Sequence, residues 1–132
     1  MQAKPTKQYS IEFFPPKDKE GEIKLDLAFE KLLGLRPDFC SITYGANGST
    51  KQGTRDLTFR YQQKGGIIAP HISFGEASDE GMGKLLENYK SAGIRRLVVL
   101  RGDRPNESSR KLRHANELVE FIRRETKDFF HI

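Results

Sequence analysis

The stretch FCSITY, residues 39–44, predicts a β-strand whose two faces differ in character. Side chains of a strand alternate between its faces. One face therefore carries Phe39, Ser41 and Thr43, and the other carries Cys40, Ile42 and Tyr44. A sheet that is covered by helices on both faces needs strands that are apolar on both. This strand has one apolar face for helix packing and one face of small polar groups, which argues against a doubly wound sheet.

Three further strand-like segments accompany it along the chain. They are Tyr9–Phe14, Ile67–Phe74 and Arg96–Arg101, and the centres of consecutive strands lie about thirty residues apart, the length of one strand-and-helix unit. Apolar residues at helical spacing occupy the intervals, which predicts helices over Ile23–Leu33, Thr54–Gln63, Asp79–Ala92 and Leu112–Thr126. Strands that alternate with helices predict a parallel sheet.

The polar side chains of these strands favour an α/β fold of the β/α (TIM-type) barrel class. They stand late in their strands, and in a barrel the carboxyl ends of the strands open into a lumen that serves as the active site. About eight units close such a barrel, and this chain contains about four. We therefore expect residues 1–132 to be a single domain that forms the N-terminal half of a barrel, with Phe129–Ile132 entering a fifth strand and the remainder absent from this chain.

Composition indicates a globular protein without a membrane span. Of the 132 residues, 36% are hydrophobic and 31% charged, and no apolar run approaches the roughly 20 residues that cross a bilayer. The N-terminus lacks the apolar segment of a secretory signal, and the single cysteine, Cys40, allows no internal disulfide, so a cytoplasmic location is expected. The net charge of +5 is uneven, with ten Lys/Arg against six Asp/Glu from Arg95 to the end. Much of it lies in the helix-like stretch Arg110 to Lys127, whose charges are of mixed sign, which favours a solvated surface over a nucleic-acid site.

Glu12 lies in the first strand, whose pattern predicts a buried strand that ends at Pro15 and Pro16. A carboxylate is unexpected at such a position. Burying an ionised carboxylate is costly unless it is paired or protonated. Strand alternation places Glu12 on the same face as Ser10, opposite Ile11. Two interpretations follow: Glu12 carries chemistry, or a structural partner neutralises it.

Polar residues also stand at the ends of the later strands. The loop 43–50 is rich in glycine and hydroxyl groups, which suits close approach to a ligand or a simple turn. Strand alternation places His71 on the polar face, either as a ligand-binding residue or as a core histidine with its hydrogen bonds satisfied. No second histidine or carboxylate stands at the spacing of metal ligands, so no metal is predicted. The fourth strand ends at Arg101, Gly102 and Asp103, where barrel enzymes place functional groups, although a surface ion pair of Arg101 with Asp103 is a competing interpretation.

Four segments together resemble one family. They are IEFFPPK (residues 11–17), PDFCSITYGANGST (37–50), PHISF (70–74) and LVVLRGDRP (97–105). In order and spacing they resemble the methylenetetrahydrofolate reductase family, over nearly the whole chain and about the first half of that family's catalytic barrel. The resemblance implies an enzyme that binds FAD, takes hydride from NADH or NADPH, and reduces methylenetetrahydrofolate to methyltetrahydrofolate in one-carbon metabolism and methionine biosynthesis.

The resemblance also implies roles for individual residues. Glu12 matches the general acid that assists opening of the folate's five-membered ring, a role suited to a carboxyl removed from water. Asp103 matches a catalytic aspartate that lies near the flavin and also binds the folate substrate. The positions that match flavin-binding residues are Thr43, Tyr44, Ala46, His71, Arg101, Gly102, Asp103, His114 and Ala115. His114 stands where many relatives have tyrosine, and it keeps a flat side chain there.

A non-enzymatic interpretation accompanies the enzymatic one. Four strands in an open sheet leave two unpaired edges, which soluble proteins normally cover. A half-barrel would then be an inactive interaction module that pairs with itself or with a second fragment, and a homo-oligomer is expected. The expected partners are a folate substrate or a protein, not nucleic acid or a membrane.

Overall fold

The computed structural model describes residues 6–44, 51–75, 77–102 and 114–132. Strands and helices alternate along these residues, which confirms the predicted α/β order. The elements are β1 (Ser10–Phe13), α1 (Lys19–Leu33), β2 (Phe39–Ile42), α2 (Lys51–Gln63), β3 (Ile68–Ile72), α3 (Asp79–Ser91), β4 (Val98–Val99) and α4 (Ala115–Thr126). None of the helices in the described ranges is long and apolar enough to cross a membrane.

The strands form one parallel sheet in the order β1-β2-β3-β4. The Cα atom of Glu12 lies opposite that of Ser41, and Ser41 lies opposite Ala69, so the same face of each strand meets the same face of the next. A sequential order without reversal is typical of a β/α barrel, whereas the order reverses within a doubly wound sheet. The predicted parallel sheet is therefore confirmed, with a strand order that suits a barrel.

The fourth strand is shorter than its sequence pattern predicts. Only Val98 and Val99 pair with β3 as a strand, although Arg96 was the expected start and Arg101 the expected end. An isolated parallel bridge joins Arg96 to His131. The chain after α4 therefore returns beside β4, where the entrance to a fifth strand was expected.

A capping residue decides where α1 begins. The Asp18 side chain accepts a hydrogen bond from the backbone N–H of Gly21 at 2.7 Å, and Glu20 and Glu22 place negative charge in the first turn. Both features stabilise a helix N-terminus. The helix therefore begins before the predicted start at Ile23, because apolar spacing does not detect a polar first turn.

The hydrophobic core lies between one face of the sheet and the four helices. Its strand residues are Phe13, Cys40, Ile42, Ile68 and Ile72, and its helix residues are Phe29, Leu57, Tyr61, Met82, Leu86, Tyr89, Leu118, Phe121 and Ile122. Phe74, Ile94, Leu97 and Phe130, outside the strands and helices, complete it. The rings of Phe29 and Tyr61 stack with their centroids 3.9 Å apart, and Phe13 meets both rings edge-on. These contacts hold α1 and α2 against β1. Cys40 is part of this packing, as expected.

The opposite face of the sheet is polar, as the strand alternation predicts. Its polar side chains are Ser10, Glu12, Ser41, Thr43, His71 and Ser73, and none of them belongs to the core cluster. Phe39 and Ala69 lie on the same face by the register of the strands. The prediction that the first strand is buried was wrong, because Ser10 and Glu12 are exposed and only Phe13 is fully buried. β1 lies at the edge of the sheet, and no helix among the described residues covers its polar face.

Candidate functional site

Three polar side chains on neighbouring strands meet on the polar face of the sheet. Glu12 on β1 lies in register with Ser41 on β2, and the Ser41 hydroxyl donates to Oε2 of Glu12 at 3.4 Å. Nε2 of His71 on β3 lies 3.3 Å from the same oxygen. One carboxylate oxygen of Glu12 therefore faces two polar groups, one from each of the next two strands. We call these three residues the Glu12 cluster.

His71 is the buried member of this cluster. Its side chain is 9% exposed, and its Nε2 atom lies 3.3 Å from Glu12 without a formed hydrogen bond to any described residue. Burial lowers the pKa of His71 below the usual histidine value, and the nearby carboxylate of Glu12 opposes this shift without cancelling it. The imidazole is therefore neutral near pH 7.

This burial predicts that the protein loses stability in mild acid. In the unfolded chain a histidine takes up a proton at about pH 6.5, whereas His71 resists protonation when folded. Below that pH the unfolded state binds more protons, so the free energy of unfolding decreases as the pH falls toward the lowered pKa. Urea unfolding between neutral and mildly acidic pH measures this slope. His71→Gln is expected to reduce the slope and His131→Gln, at an exposed position, to retain it; equal slopes in all three proteins would contradict the prediction.

The Glu12 side chain is more exposed than the sequence predicts. Its side chain is 53% exposed, so the structure does not show the removal from water that suits a proton donor. The reason is the position of Glu12 on the edge strand, where the described residues leave its polar face open. A carboxyl group that accepts from a serine hydroxyl and lies beside a neutral imidazole can still donate or accept a proton.

Thr43 continues the polar face beyond the end of β2. Its backbone N–H donates to the carbonyl of Phe13 at 3.0 Å, and its carbonyl accepts from the hydroxyl of Thr54 at 2.9 Å. The Oγ1 atom of Thr43 is buried and has no hydrogen-bond partner among the described residues. A buried hydroxyl without a partner is unfavourable, so this atom is available to a polar ligand.

Gly102 follows β4 at the same end of the sheet. Its φ angle of +83° lies in the left-handed region, and a Cβ atom at this position would lie 2.9 Å from Oγ of Ser73. Both facts require glycine. The neighbouring Arg101 is exposed. The backbone after β4 is thus packed directly against the polar face, at the buried Ser73.

Tyr44 lies on the other side of the sheet from the Glu12 cluster, as strand alternation predicts. Burial raises the pKa of its hydroxyl, and a hydrogen bond with the Ser73 backbone and the charge of Arg55 partly oppose the rise. Its side chain is therefore directed away from the polar face. If Tyr44 contacts a ligand on that face, its backbone is the part that does so.

The remaining predicted site residues fall into two groups. His114 and Ala115 stand at the start of α4, where the backbone N–H of His114 donates to Oε2 of Glu117 at 2.5 Å. Ala46 and Asp103 lie outside the described residues, so the expected place of Asp103 beside Arg101 stays a prediction. The structure therefore brings Glu12, Thr43, His71 and Gly102 to one face and one end of the sheet.

Two residues on this face were not predicted as site residues. Ser41 contacts Glu12, and Ser73 lies under Gly102. Both were assigned to the polar face from the alternation pattern, but contact between strands depends on register. Ser41 occupies the same position in its strand as Glu12 does in β1. Parallel strands in register place such equivalent positions side by side, so this correspondence is the signal that could have identified Ser41.

Other chemistry has less support in the described residues. Cys40 is buried, and burial raises the pKa of its thiol, which disfavours the thiolate needed for nucleophilic attack. No three histidine, cysteine, aspartate or glutamate side chains converge into a metal-binding group within the described ranges. The Glu12 cluster is therefore the group on which a functional proposal can rest.

Comparisons with known proteins agree on one family. The sequence model of the family described as methylenetetrahydrofolate reductase matches residues 1–132. The chain is 36% identical over 121 residues to the 5,10-methylenetetrahydrofolate reductase of Pectobacterium carotovorum subsp. carotovorum, covering 91% of this chain and 40% of that protein. It is 39% identical over 118 residues to the protein of the same name from Buchnera aphidicola subsp. Schizaphis graminum, covering 89% of this chain and 40% of that protein.

A plant protein gives the same result, with a smaller share of the relative covered. The chain is 33% identical over 131 residues to methylenetetrahydrofolate reductase (NADH) 1 of Zea mays, covering 94% of this chain and 22% of that protein. The chain thus spans about two fifths of the bacterial relatives it matches. From the match across its whole length, we conclude that the chain belongs to the methylenetetrahydrofolate reductase family, a family of enzymes.

Proposed function

We propose that this chain is part of a flavin-dependent reductase that converts 5,10-methylenetetrahydrofolate to 5-methyltetrahydrofolate with NADH or NADPH. The observation that carries the proposal is the Glu12 cluster, since it places a candidate proton donor on the polar face of a chain that matches the family throughout. The coarser role, an oxidoreductase of folate metabolism, follows from the family name. The reaction, its cofactors and a cytoplasmic location are our inference.

Within this proposal, Glu12 donates a proton to the folate. Opening the five-membered ring breaks a carbon–nitrogen bond, and protonation makes the departing nitrogen a better leaving group. Glu12 suits this role because its carboxyl group is accessible, accepts a hydrogen bond from Ser41 and lies 3.3 Å from Nε2 of His71. Asp103 is proposed, by resemblance alone, to bind the folate and to place negative charge beside the flavin.

The described residues fit a cofactor of the flavin type at the carboxyl end of the sheet. The Oγ1 atom of Thr43 is a buried hydroxyl without a described partner, and a planar ring system with hydrogen-bonding edges offers it one. FAD would supply the hydride-transfer chemistry between nicotinamide and folate. The residues proposed to hold it are Thr43, Tyr44, Ala46, His71, Arg101, Gly102, Asp103, His114 and Ala115.

The proposal includes the architecture around this site. We infer that residues 1–132 form the first half of a β/α barrel, and the sequential parallel strands and the bridge from Arg96 to His131 support this. In a closed barrel the polar face would line the lumen. Glu12 would then lose much of the exposure that it has among the described residues.

A visible spectrum of the purified full-length protein tests the proposal. We expect flavin absorbance that elutes with the protein, bleaches when NADH or NADPH is added without oxygen, and returns when methylenetetrahydrofolate is added. Methyltetrahydrofolate should form in the same amount as the flavin that is reoxidised. A colourless protein, or a flavoprotein that NAD(P)H reduces but folate does not reoxidise, would refute it.

The second candidate is an interaction module in which two copies of the chain pair. Exposed apolar side chains on and beside α1 favour it, because Ile23 and Leu27 stand one turn apart and are 55% and 57% exposed. Tyr9, on the outer edge of the sheet, is also partly exposed. Sedimentation of the same sample separates the two candidates: a colourless oligomer supports the module, and a yellow protein that turns over folate supports the reductase.

A further inference from the structure

Ser41 and His71 both contact the Oε2 atom of Glu12, and we propose that they act as positioning residues that leave the transferable proton on the Oε1 atom. Ser41 reaches Oε2 from β2 and His71 from β3. No role in the reaction has been inferred for Ser41 above, and for His71 only flavin binding. The inference rests on the proposed function, in which Glu12 is the proton donor.

The argument begins with the two oxygens of a carboxyl group. A protonated carboxyl has one hydroxyl oxygen, which donates, and one carbonyl oxygen, which accepts. Ser41 donates to Oε2, and Nε2 of His71 lies 3.3 Å from the same oxygen, where an Nε2–H can donate after a small rotation of either side chain. Donors at Oε2 favour it as the carbonyl oxygen, so the proton resides on Oε1. On transfer, the Oε1–H bond breaks and a bond from that hydrogen to the departing folate nitrogen forms. The negative charge left on the carboxylate then strengthens the hydrogen bonds at Oε2.

Burial makes the two positioning groups rigid. Ser41 is 5% exposed and His71 is 7% exposed, while the Glu12 side chain that they contact is half exposed. Groups fixed on strands lose little freedom when they bind the carboxyl, and their direction is set by the register of the sheet. Both groups lie at Oε2, so neither of the two positioning residues occupies Oε1.

The neutral state of His71 suits this role. A cationic imidazole beside Glu12 would favour the ionised carboxylate and so remove the proton that a donor needs. Burial keeps the pKa of His71 low and the ring neutral, and a neutral ring can still donate through Nε2–H. On β4, the residue in register with His71 is the uncharged Val98. Among the described residues, Glu12 is the charged group that acts on the pKa of His71.

The contact itself can be tested without cofactor or substrate. We expect ¹⁵N NMR titration of the imidazole to show that Glu12→Gln lowers the pKa of His71 further, because the Glu12 charge raises it in the parent protein. Glu87→Gln removes the same charge from an exposed position on α3 and should leave the titration unchanged. If the His71 pKa is the same in the parent and in Glu12→Gln, the contact is absent and the inference fails, whatever reaction the protein catalyses.

The positioning role is tested by resolving the two half-reactions in stopped flow. We expect Ser41→Ala to slow folate reduction about tenfold or more, the scale for losing a hydrogen bond to a charged group, with flavin reduction by nicotinamide unchanged. His71→Leu should slow folate reduction by a similar factor per bound flavin, whatever it does to flavin binding. His71→Gln, whose amide N–H can replace Nε2–H, should recover part of the loss. Flavin loss in Ser41→Ala, or equal slowing of both half-reactions by it, would overturn positioning in favour of cofactor binding. Ser41→Ala decides alone if His71→Leu does not fold.

Discussion

Glu12→Gln is expected to slow reduction of the folate about a hundredfold or more, the usual scale for loss of a general acid. Flavin content and flavin reduction by nicotinamide should stay close to the parent values. The amide has nearly the shape of the carboxyl and can still accept from Ser41, but it has no acidic proton to give. Stopped-flow traces that follow flavin reduction and flavin reoxidation separately measure the two rates.

The control for this experiment is Asp18→Asn, which removes a carboxylate that caps α1 and contacts no member of the Glu12 cluster in the described structure. It should lower stability slightly and leave both half-reactions intact. Equal slowing of both half-reactions by Glu12→Gln would show that Glu12 supports the site rather than the proton transfer. A normal folate half-reaction would remove Glu12 from the chemistry altogether.

Local alternation explains why the faces of the sheet could be predicted from the sequence. Ser41 and Thr43 had to share a face because neighbouring strand residues point in opposite directions. The contact between Ser41 and Glu12 is different, since it depends on a register between segments 29 residues apart. Such a pairing is set by the packing of whole elements, which a pattern within one strand does not contain.

The exposure of Glu12 could not be predicted for a related reason. The strand pattern identifies which residues share a face, but burial depends on what covers that face. In β1 the apolar face is covered, and Phe13 is 5% exposed, whereas the polar face is open at the edge of the sheet. The helix boundaries show the same limit, because the cap at Asp18 extends α1 through residues that carry no apolar pattern.

Phe29→Ala is expected to destabilise the protein by about 3–5 kcal/mol, the range for removing a buried aromatic ring from a core. Phe29 on α1 is fully buried, stacks on Tyr61 of α2 and meets Phe13 of β1 edge-on, so its ring joins three elements. Because whole domains are stable by only about 5–15 kcal/mol, such a loss removes a large part of the total.

The site depends on this contact, because Phe13 is the neighbour of Glu12 in β1 and its position sets the strand against α1 and α2. Phe14→Ala is the matched control, because it removes the same ring from a residue that is 68% exposed. This substitution should change the free energy of unfolding by about 0.5 kcal/mol or less. Urea unfolding followed by circular dichroism measures both. If the two variants lose similar stability, the ring of Phe29 does not join α1 and α2 to β1, and the packing that places Glu12 must be sought elsewhere in the core.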